Sequence, residues 1–190
     1  SKKENFSNLL GVAKIKAISI ARFTDQKDHM TLLKAILILI KKKINIKLLI
    51  MGYGINKNKM QNFISKNKIS KNIKIINFQK NPYKFLKKSN LFILTSLYEG
   101  LPNVLLEAMV LKKFIISSNC PTGPREILAN GKFGKLFRTK NIKDLSNKIL
   151  DYNSNIKKNN KVTKNAYNSL SRFDFNSNCE EYFKVLKKFI

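Results

Sequence analysis

The chain has 190 residues, of which 43% are apolar, which is enough for a single domain with a substantial core. The apolar run AILILI is followed at once by three lysines, so no segment is long enough to span a bilayer, and the polar first residues do not resemble a signal peptide. Cys120 and Cys179 are too few and too far apart to indicate a disulfide framework or a metal site, and they favour a reducing cytoplasm.

The charge is strongly positive, with 38 Lys and Arg residues against 11 Asp and Glu residues and a formal net charge of +27. Two explanations stay open. The first is a biased composition with a solvated lysine surface, and the second is attraction to an anionic partner such as a phospholipid surface or a diphosphate substrate. Nucleic acid is disfavoured, because the basic residues are scattered and no known nucleic-acid module is present.

Apolar runs and helical periodicity predict strands that alternate with helices. In chain order we expect a polar segment at 1–14, a strand at 15–20, a loop at 21–27, a helix at 29–42 capped by Asp28, a strand at 46–51, a helix at 57–66, a strand at 73–78, a short helix at 82–88, a strand at 91–94, a helix from about 103, a strand at 114–117, a turn at 120–124, a strand at 133–137, and helices at 141–151, 160–171 and 176–189. This alternation predicts an α/β fold, a Rossmann-like doubly wound parallel sheet flanked by helices, with a helical C-terminal tail.

The stretch from Leu91 to Leu111 contains the most informative pattern. A short apolar strand is followed by a polar loop with Glu99 and by a helix with Glu107. Gly100 allows a sharp turn and a close approach to a ligand, Pro102 suits a first helical turn, and Asn103 suits a helix start. A helix that begins behind such a turn presents free N–H groups to an anion, most naturally a phosphate or diphosphate. Glu107 lies about 6 Å further along the helix axis, where its carboxylate can accept hydrogen bonds from a sugar hydroxyl.

The residues SLYEGLPNVLLEAM resemble the E-x7-E signature of retaining glycosyltransferases of family 4, which have the two-domain GT-B fold. The resemblance extends from about Ile15 to Phe137. It implies that Glu107 binds the ribose hydroxyls of the nucleotide and that Glu99, as the catalytic residue, lies beside the donor sugar. The backbone that receives the diphosphate then consists of Gly100, Leu101, Pro102 and Asn103.

The loop after the first strand carries a second pair of candidate residues, Arg22 and Lys27. Ligands of open parallel sheets bind at the carboxyl ends of the strands, where two cations are able to neutralise a diphosphate. The spacing R-x4-K matches the paired diphosphate-binding cations of the family. No D-x-D pair is present for a divalent metal, so we expect a metal-independent reaction with no cofactor.

Three further motifs have weaker signals. Gly52-Tyr53-Gly54 resembles the family's G-x-G turn at the nucleotide pocket, although a plain turn explains it equally well. Phe78 occupies the place where the family holds the base, or it is a core residue. CPTGPREIL resembles a loop of members that build bacterial surface or lipid-linked glycans, with Thr122, Gly123 and Glu126 near the pocket mouth, or it is a rigid turn before a helix. His29 has no partner acid, which indicates a structural or surface role and not that of a catalytic base.

The resemblance implies that the chain is the C-terminal donor half of a GT-B enzyme. Residues 1–14 are then a linker from a missing N-terminal acceptor domain, and residues 15–190 bind the nucleotide sugar, with terminal helices from about 141. The final helices, which contain EEYFKVLKKFI, are expected to pack against the missing half. We expect a hexosyltransferase of bacterial polysaccharide, capsule or lipopolysaccharide biosynthesis that uses an NDP-sugar, with UDP favoured, and a glycan or lipid-linked acceptor. It is expected in the cytoplasm or at the inner face of the membrane, and the isolated domain is expected to be inactive.

Two other classes of function stay open. A non-catalytic nucleotide-binding module predicts nucleotide binding without turnover, and a basic membrane- or nucleic-acid-binding protein predicts salt-dependent binding that is indifferent to Glu99 and Glu107. A glycoside hydrolase, which also uses two carboxylates, leaves Arg22, Lys27 and Gly100 unexplained.

Overall fold

The computed structural model describes residues 11–189. Its strands are β1 (Ile15–Ile20), β2 (Ile46–Gly52), β3 (Ile73–Asn77), β4 (Leu91–Leu94), β5 (Phe114–Ser118) and β6 (Lys135–Phe137). Its α-helices are α1 (His29–Lys41), α2 (Lys57–Lys66), α3 (Tyr83–Lys88), α4 (Asn103–Val110), α5 (Pro124–Ile127), α6 (Ile142–Ser154), α7 (Ile156–Asn168) and α8 (Phe175–Leu186). Short 3-10 turns lie at Asp25–Lys27, Ala129–Gly131 and Ser169–Phe173.

The strands form one six-stranded sheet in the order β3-β2-β1-β4-β5-β6, and all neighbouring pairs are parallel. The expected doubly wound parallel sheet is therefore confirmed. The chain moves outward from β1 to β3, and then returns to place β4 on the other side of β1, where Ala17 pairs with Leu91. The short strands β3 and β6 lie at the two edges, and each carries a lysine, Lys74 and Lys135.

The central strands are apolar on both faces because each face of the sheet is covered by helices. In β4, for example, Leu91 and Ile93 belong to one core, and Phe92 and Leu94 belong to the other. The first core is completed mainly by apolar residues of α1, α2 and α6, and the second by residues of α3, α4, α5 and α7. Helix α8 contributes no buried residue to either core.

Several boundaries differ from the predicted ones. Strand β6 begins at Lys135 instead of 133, because Phe133 packs against the second core and Gly134 lies so close to β5 that a Cβ there would be 2.7 Å from the Ile115 oxygen. Helix α7 begins at Ile156 instead of 160, because the buried Asn159 side chain donates to the Tyr152 carbonyl oxygen at 2.8 Å and fixes this turn against α6.

The remaining differences are small. Strand β3 ends at Asn77, which leaves Phe78 in the following loop. Residues 1–10 of the predicted linker lie outside the described residues, and residues 11–14 form neither helix nor strand. Within residues 11–189, no helix combines the length and the hydrophobicity that crossing a bilayer requires.

Candidate active site

The loops that follow β1 and β4 meet at the carboxyl edge of the sheet. Strands β1 and β4 are neighbours in the sheet, but the chain continues from β1 to β2 on one side and from β4 to β5 on the other. Such a position is the topological switch point, where open α/β sheets bind ligands. The loops are joined by hydrogen bonds from the Leu97 N–H to the Gln26 carbonyl oxygen at 2.8 Å and from the Gln26 side-chain amide to the Tyr98 carbonyl oxygen at 2.9 Å. The predicted site residues of both loops therefore lie in one crevice.

An ion pair connects the two loops. The Lys27 Nζ lies 2.5 Å from Oε1 of Glu99, and the Ser96 hydroxyl donates to the same oxygen at 2.5 Å. The two charged side chains are only 13% and 8% exposed, and the Thr95 hydroxyl donates to the Lys27 carbonyl oxygen at 2.7 Å. The first catalytic candidate and one predicted diphosphate ligand are thus held in direct contact before any ligand binds.

Arg22 has a different environment from Lys27 on the same loop. Its side chain is exposed, whereas the side chain of the next residue, Phe23, is fully buried. The ion pairs of residues 11–189 are Lys27–Glu99 and Lys135–Asp151, and neither includes Arg22. The structure thus places Arg22 at the crevice but not against the ion pair, and its diphosphate contact stays a prediction.

The turn Gly52-Tyr53-Gly54 packs directly on the first loop. A Cβ at Gly52 would lie 1.9 Å from the Ala21 carbonyl oxygen, and one at Gly54 would lie 2.6 Å from the Phe23 carbonyl oxygen. Gly54 also has a φ of +142°. Both glycines are therefore required for backbone packing. This packing fixes the position of the loop that carries Arg22.

Two exposed aromatic rings stand side by side beyond the ends of β2 and β3. Tyr53 is 60% exposed and Phe78 is 56% exposed, and their ring centroids are 6.2 Å apart in an edge-to-face arrangement. The alternative of a core role for Phe78 is therefore wrong, since the side chain follows the end of β3 and remains in solvent. Sequence reasoning missed Tyr53, although an aromatic residue between the two glycines of a strand-end turn was a usable signal.

Helix α4 begins at Asn103 behind Pro102, which has an extended backbone and no side-chain group to cap the helix. Asn103 is the first helical residue instead of the cap, so its amide does not satisfy the first turn. Gly100 does not use a left-handed conformation, and a Cβ there would meet no atom within 4 Å. The backbone bends at Gly100 as expected, but this bend does not require glycine, and the open space beside Gly100 fits a close approach by a ligand.

Glu107 lies one turn inside α4 and is half-buried. Its partial burial raises the pKa of the Glu107 carboxyl above its usual range, because desolvation disfavours the charged form. Three features thus lie together at the start of α4. They are the uncapped amides of its first turn, the exposed apolar side chain of Leu101 and the carboxylate of Glu107, which is a hydrogen-bond acceptor.

The loop at 120–127 borders the Glu99 loop. The Thr122 hydroxyl donates to the Glu99 carbonyl oxygen, and Gly123 lies against Gly100. Glu126 is exposed and lines an open cavity of about 520 Å³ together with Thr122 and Gly123. Thr122 and Gly123 are thus brought to the site, whereas within residues 11–189 Glu126 makes no hydrogen bond or ion pair with the Glu99 loop.

His29 is buried at the start of α1 and packs edge-to-face on Phe23, with ring centroids 5.4 Å apart. Its burial and the nearby charge of Lys27 lower the pKa of His29 to about 4. Within the described residues neither ring nitrogen has a hydrogen-bond partner, which fits the expected structural role of a neutral imidazole.

Within residues 11–189, His, Cys, Asp and Glu side chains form no group of three or more that is suited to a metal ion. Metal independence and the absence of a cofactor stay predictions.

The family model and the curated proteins that match this chain all describe glycosyltransferases. The family model described as "Glycosyl transferases group 1" matches residues 1–169. An uncharacterized glycosyltransferase of Methanocaldococcus jannaschii is 47% identical over 111 residues, which is 58% of this chain and 27% of that protein. Poly(ribitol-phosphate) alpha-N-acetylglucosaminyltransferase of Staphylococcus aureus is 29% identical over 136 residues, which is 72% of this chain and 28% of that protein.

Solved structures give the same picture for the fold. A crystal structure of a mutant of Staphylococcus aureus TarM in complex with fondaparinux, alpha-GlcNAc-glycerol and UDP superposes with a TM-score of 0.83 at 25% identity. The match covers 92% of this chain and 36% of that one. The chain thus spans about a third of the length of the relatives that it matches.

Proposed function

The chain belongs to the glycosyl transferases group 1 family, and we propose that it is the donor-binding domain of a retaining glycosyltransferase. The enzyme moves a hexose-type sugar from an NDP-sugar, with UDP favoured, to a glycan or lipid-linked acceptor. The observation that carries this proposal is the contact of Lys27 with Glu99 at the switch point, beside the uncapped start of α4. A diphosphate sugar is bound by such a combination of a cation, backbone amides and a carboxylate.

Each part of the donor has a matching group in the crevice. The diphosphate is held by Lys27, by Arg22 and by the backbone N–H groups of Gly100, Leu101 and Asn103, and the ribose hydroxyls donate to Glu107. The base lies by the exposed rings of Tyr53 and Phe78, which offer an aromatic surface for stacking. A nucleotide in the TarM crystal structure, UDP, supports the choice of uridine.

The reaction follows from this placement. The bond between the anomeric carbon and the diphosphate oxygen breaks, and its electron pair goes to the leaving diphosphate, whose charge is stabilised by Lys27, Arg22 and the helix amides. The acceptor hydroxyl oxygen forms the new bond on the same face of the sugar and gives its proton to the departing diphosphate. Glu99 positions the sugar and supports the positive charge that develops on the ring.

The acceptor is bound outside this chain, by an N-terminal domain. The Staphylococcus aureus relative acts on poly(ribitol-phosphate), and a Campylobacter jejuni relative, 29% identical over 124 residues, acts on a diphospho-undecaprenol glycan. These names support an acceptor from bacterial surface polysaccharide or lipid-linked glycan biosynthesis. The exposed face of α8, which includes Phe175, Tyr182 and Phe183, is available to pack against the acceptor domain.

We place the enzyme in the cytoplasm, at the inner face of the membrane. The two cysteines are free, as a reducing compartment requires, and the net charge of +27 favours an anionic lipid surface. The donor domain needs no metal, because Lys27, Arg22 and backbone amides supply the positive potential. EDTA is therefore expected to leave UDP binding unchanged, and a strict requirement for Mg²⁺ or Mn²⁺ contradicts this part of the proposal.

Calorimetric titration of the domain with UDP, GDP and ADP, and with their sugars, tests the proposal at moderate salt. We expect saturable binding of one nucleotide, with the base identified by the highest affinity, and loss of that binding in Arg22→Ala and Glu107→Ala. Lys66→Ala removes an exposed lysine at the far end of α2 and is the matched control for Arg22→Ala.

Other outcomes separate the alternative functions. Nucleotide binding without any turnover, even when the domain is joined to its acceptor half, indicates a non-catalytic module. Binding that falls steeply with salt and does not change in the Glu107 variant indicates a basic surface protein instead. Absence of nucleotide binding in both the domain and the joined protein refutes the donor site.

A further inference from the structure

The loop at 120–127, with the sequence CPTGPREI, is held against the segment that carries Glu99. Two contacts join them, and both involve backbone carbonyl groups of that segment. The Thr122 hydroxyl donates to the carbonyl oxygen of Glu99. The Gly123 Cα lies so close to Gly100 that an added Cβ would be 1.9 Å from the Gly100 carbonyl oxygen and 2.6 Å from the Pro102 Cδ.

These contacts determine the direction of two amide groups. A trans peptide is planar, so its N–H points away from its C=O. Since the carbonyl oxygens of Glu99 and Gly100 face the 120–127 loop, the N–H groups of Gly100 and Leu101 face the opposite side. Neither N–H donates to an acceptor within residues 11–189, and the space beside Gly100 is open.

The 120–127 loop is itself fixed from two directions. Gly123 has a φ of +76°, a conformation that glycine adopts without strain and that sets the angle of the loop. Arg172, from the 3-10 turn after α7, donates to the carbonyl oxygens of Ile127 at 2.9 Å and Glu126 at 3.3 Å. Its guanidinium carbon lies 5.1 Å from the Phe133 ring centroid and 5.0 Å from that of Phe173, which is the range of cation–π contacts.

We propose that Thr122 and Gly123 are positioning residues, which aim the N–H groups of Gly100 and Leu101 at the donor diphosphate without touching the donor themselves. Arg172 supports them by fixing the far end of the loop. This inference rests on the proposed function, since it assigns a role to the loop in that same donor site. It gives a specific role to Thr122 and Gly123, which the sequence placed only near the pocket mouth.

The test compares Thr122→Val, which removes the hydroxyl and keeps the shape, with Thr122→Ser, which keeps the hydroxyl. In the free domain, the Gly100 amide resonance in ¹H–¹⁵N spectra is expected to move in the valine variant and to stay near its wild-type position in the serine variant. Removal of one orienting hydrogen bond is expected to weaken UDP binding by roughly tenfold in Thr122→Val, and the serine variant is expected to restore it.

Thr163→Val is the matched control, because the Thr163 hydroxyl also donates to a backbone carbonyl, that of Asn159 at 2.8 Å, but within α7. It is expected to leave UDP affinity and the Gly100 resonance unchanged. Circular dichroism and thermal unfolding show whether each variant is folded. Gly123→Ala is a second perturbation, and it is expected to weaken UDP binding more than Thr122→Val does.

Failure of this inference and failure of the proposed function give different results. If wild type binds UDP and Thr122→Val binds it equally well with an unchanged Gly100 resonance, the positioning role is overturned and the donor site stands. If valine and serine variants lose affinity to the same extent, the hydroxyl is not the group that matters, and the inference is also overturned. If wild type and its joined form bind no nucleoside diphosphate, the proposed function fails, and the inference fails with it.

Discussion

The charge of Lys27 is satisfied by Glu99 in the free domain, and the proposed donor site requires the same charge for the diphosphate. Two single substitutions separate these partners. Lys27→Met removes the ammonium group that contacts Glu99 and that the diphosphate needs. Glu99→Gln removes only the carboxylate charge and leaves the ammonium group of Lys27 available to the diphosphate. We therefore expect Lys27→Met to lower UDP affinity and Glu99→Gln not to lower it.

The magnitudes follow from the geometry of the pair. The Nζ–Oε1 distance is 2.5 Å, and both side chains are largely buried. A hydrogen bond to a charged group contributes about 1.5–3 kcal/mol, so Lys27→Met is expected to destabilise the fold by about 2 kcal/mol. In a domain of this size such a loss lowers the unfolding temperature by roughly 4–8 °C. Loss of one charged contact to the diphosphate weakens UDP binding by roughly ten- to hundredfold.

Glu99→Gln keeps the size of the side chain and an oxygen that accepts from Ser96 and Lys27. Its stability loss is therefore expected to be smaller, at about 1 kcal/mol. UDP affinity is expected to be unchanged or higher, because one negative charge is removed from the surroundings of an anion. Turnover by the domain joined to its acceptor half is expected to fall, because Glu99 supports the developing positive charge on the sugar.

The assay is calorimetric titration with UDP at two salt concentrations, together with thermal unfolding of each variant. Lys66→Met is the control for the general loss of one positive charge, since Lys66 is exposed at the end of α2. If Glu99→Gln weakens UDP binding as strongly as Lys27→Met, the ion pair itself forms the binding surface, and the reasoning that Lys27 serves the diphosphate is refuted.

Three further predictions concern other residues. Because burial raises the pKa of Glu107, its protonation is expected to weaken UDP binding at a pH above the usual glutamate range. In titrations between pH 4 and 8, Glu107→Gln is expected to bind UDP more weakly and to show only the pH dependence that the terminal phosphate of UDP itself causes. The pKa of His29 is about 4 in the folded chain against an ordinary 6.5, so protonation favours the unfolded state between these values, and stability is expected to drop by up to about 3 kcal/mol as the pH falls through this window. Denaturant unfolding of His29→Leu checks this, and an equally steep loss in that variant contradicts it. Gly52→Ala is expected to cost at least about 2 kcal/mol because its Cβ would collide with the Ala21 carbonyl group, whereas Gly100→Ala is expected to unfold like wild type in the same melting experiment but to bind UDP more weakly.

The sheet was predictable because its strands are short continuous apolar runs between polar segments. Runs such as Leu91–Leu94 indicate strands that are covered on both faces, and the helices between them have a clear apolar periodicity. The pattern fails where packing and not periodicity decides the boundary. Helix α7 begins earlier than predicted because its lysine- and asparagine-rich first turn has no apolar period, and a hydrogen bond of the buried Asn159 fixes it instead.

The site was predictable in its residues and less so in their contacts. Local motifs and the family resemblance identified Lys27 and Glu99, but the bond between them joins positions 72 apart and depends on the order of the strands. The structural need for glycine at the three predicted turn positions was only partly predictable. Gly52 and Gly54 are needed for backbone packing that the sequence does not reveal, whereas Gly100 has no conformational need to be glycine.

Some of the many lysines lie on the edge strands of the sheet, where they have a role that does not depend on a ligand. Strands β3 and β6 are short, and they carry Lys74 and Lys135, the second paired with Asp151. A charged side chain on an edge strand opposes the addition of a strand from another molecule, since that strand would have to desolvate the charge. With a net charge of +27, the chains also repel one another at a distance. These lysines thus protect the two open edges of the parallel sheet against self-association. Neutral substitutions of Lys74 and Lys135 are expected to increase aggregation without changing the donor site.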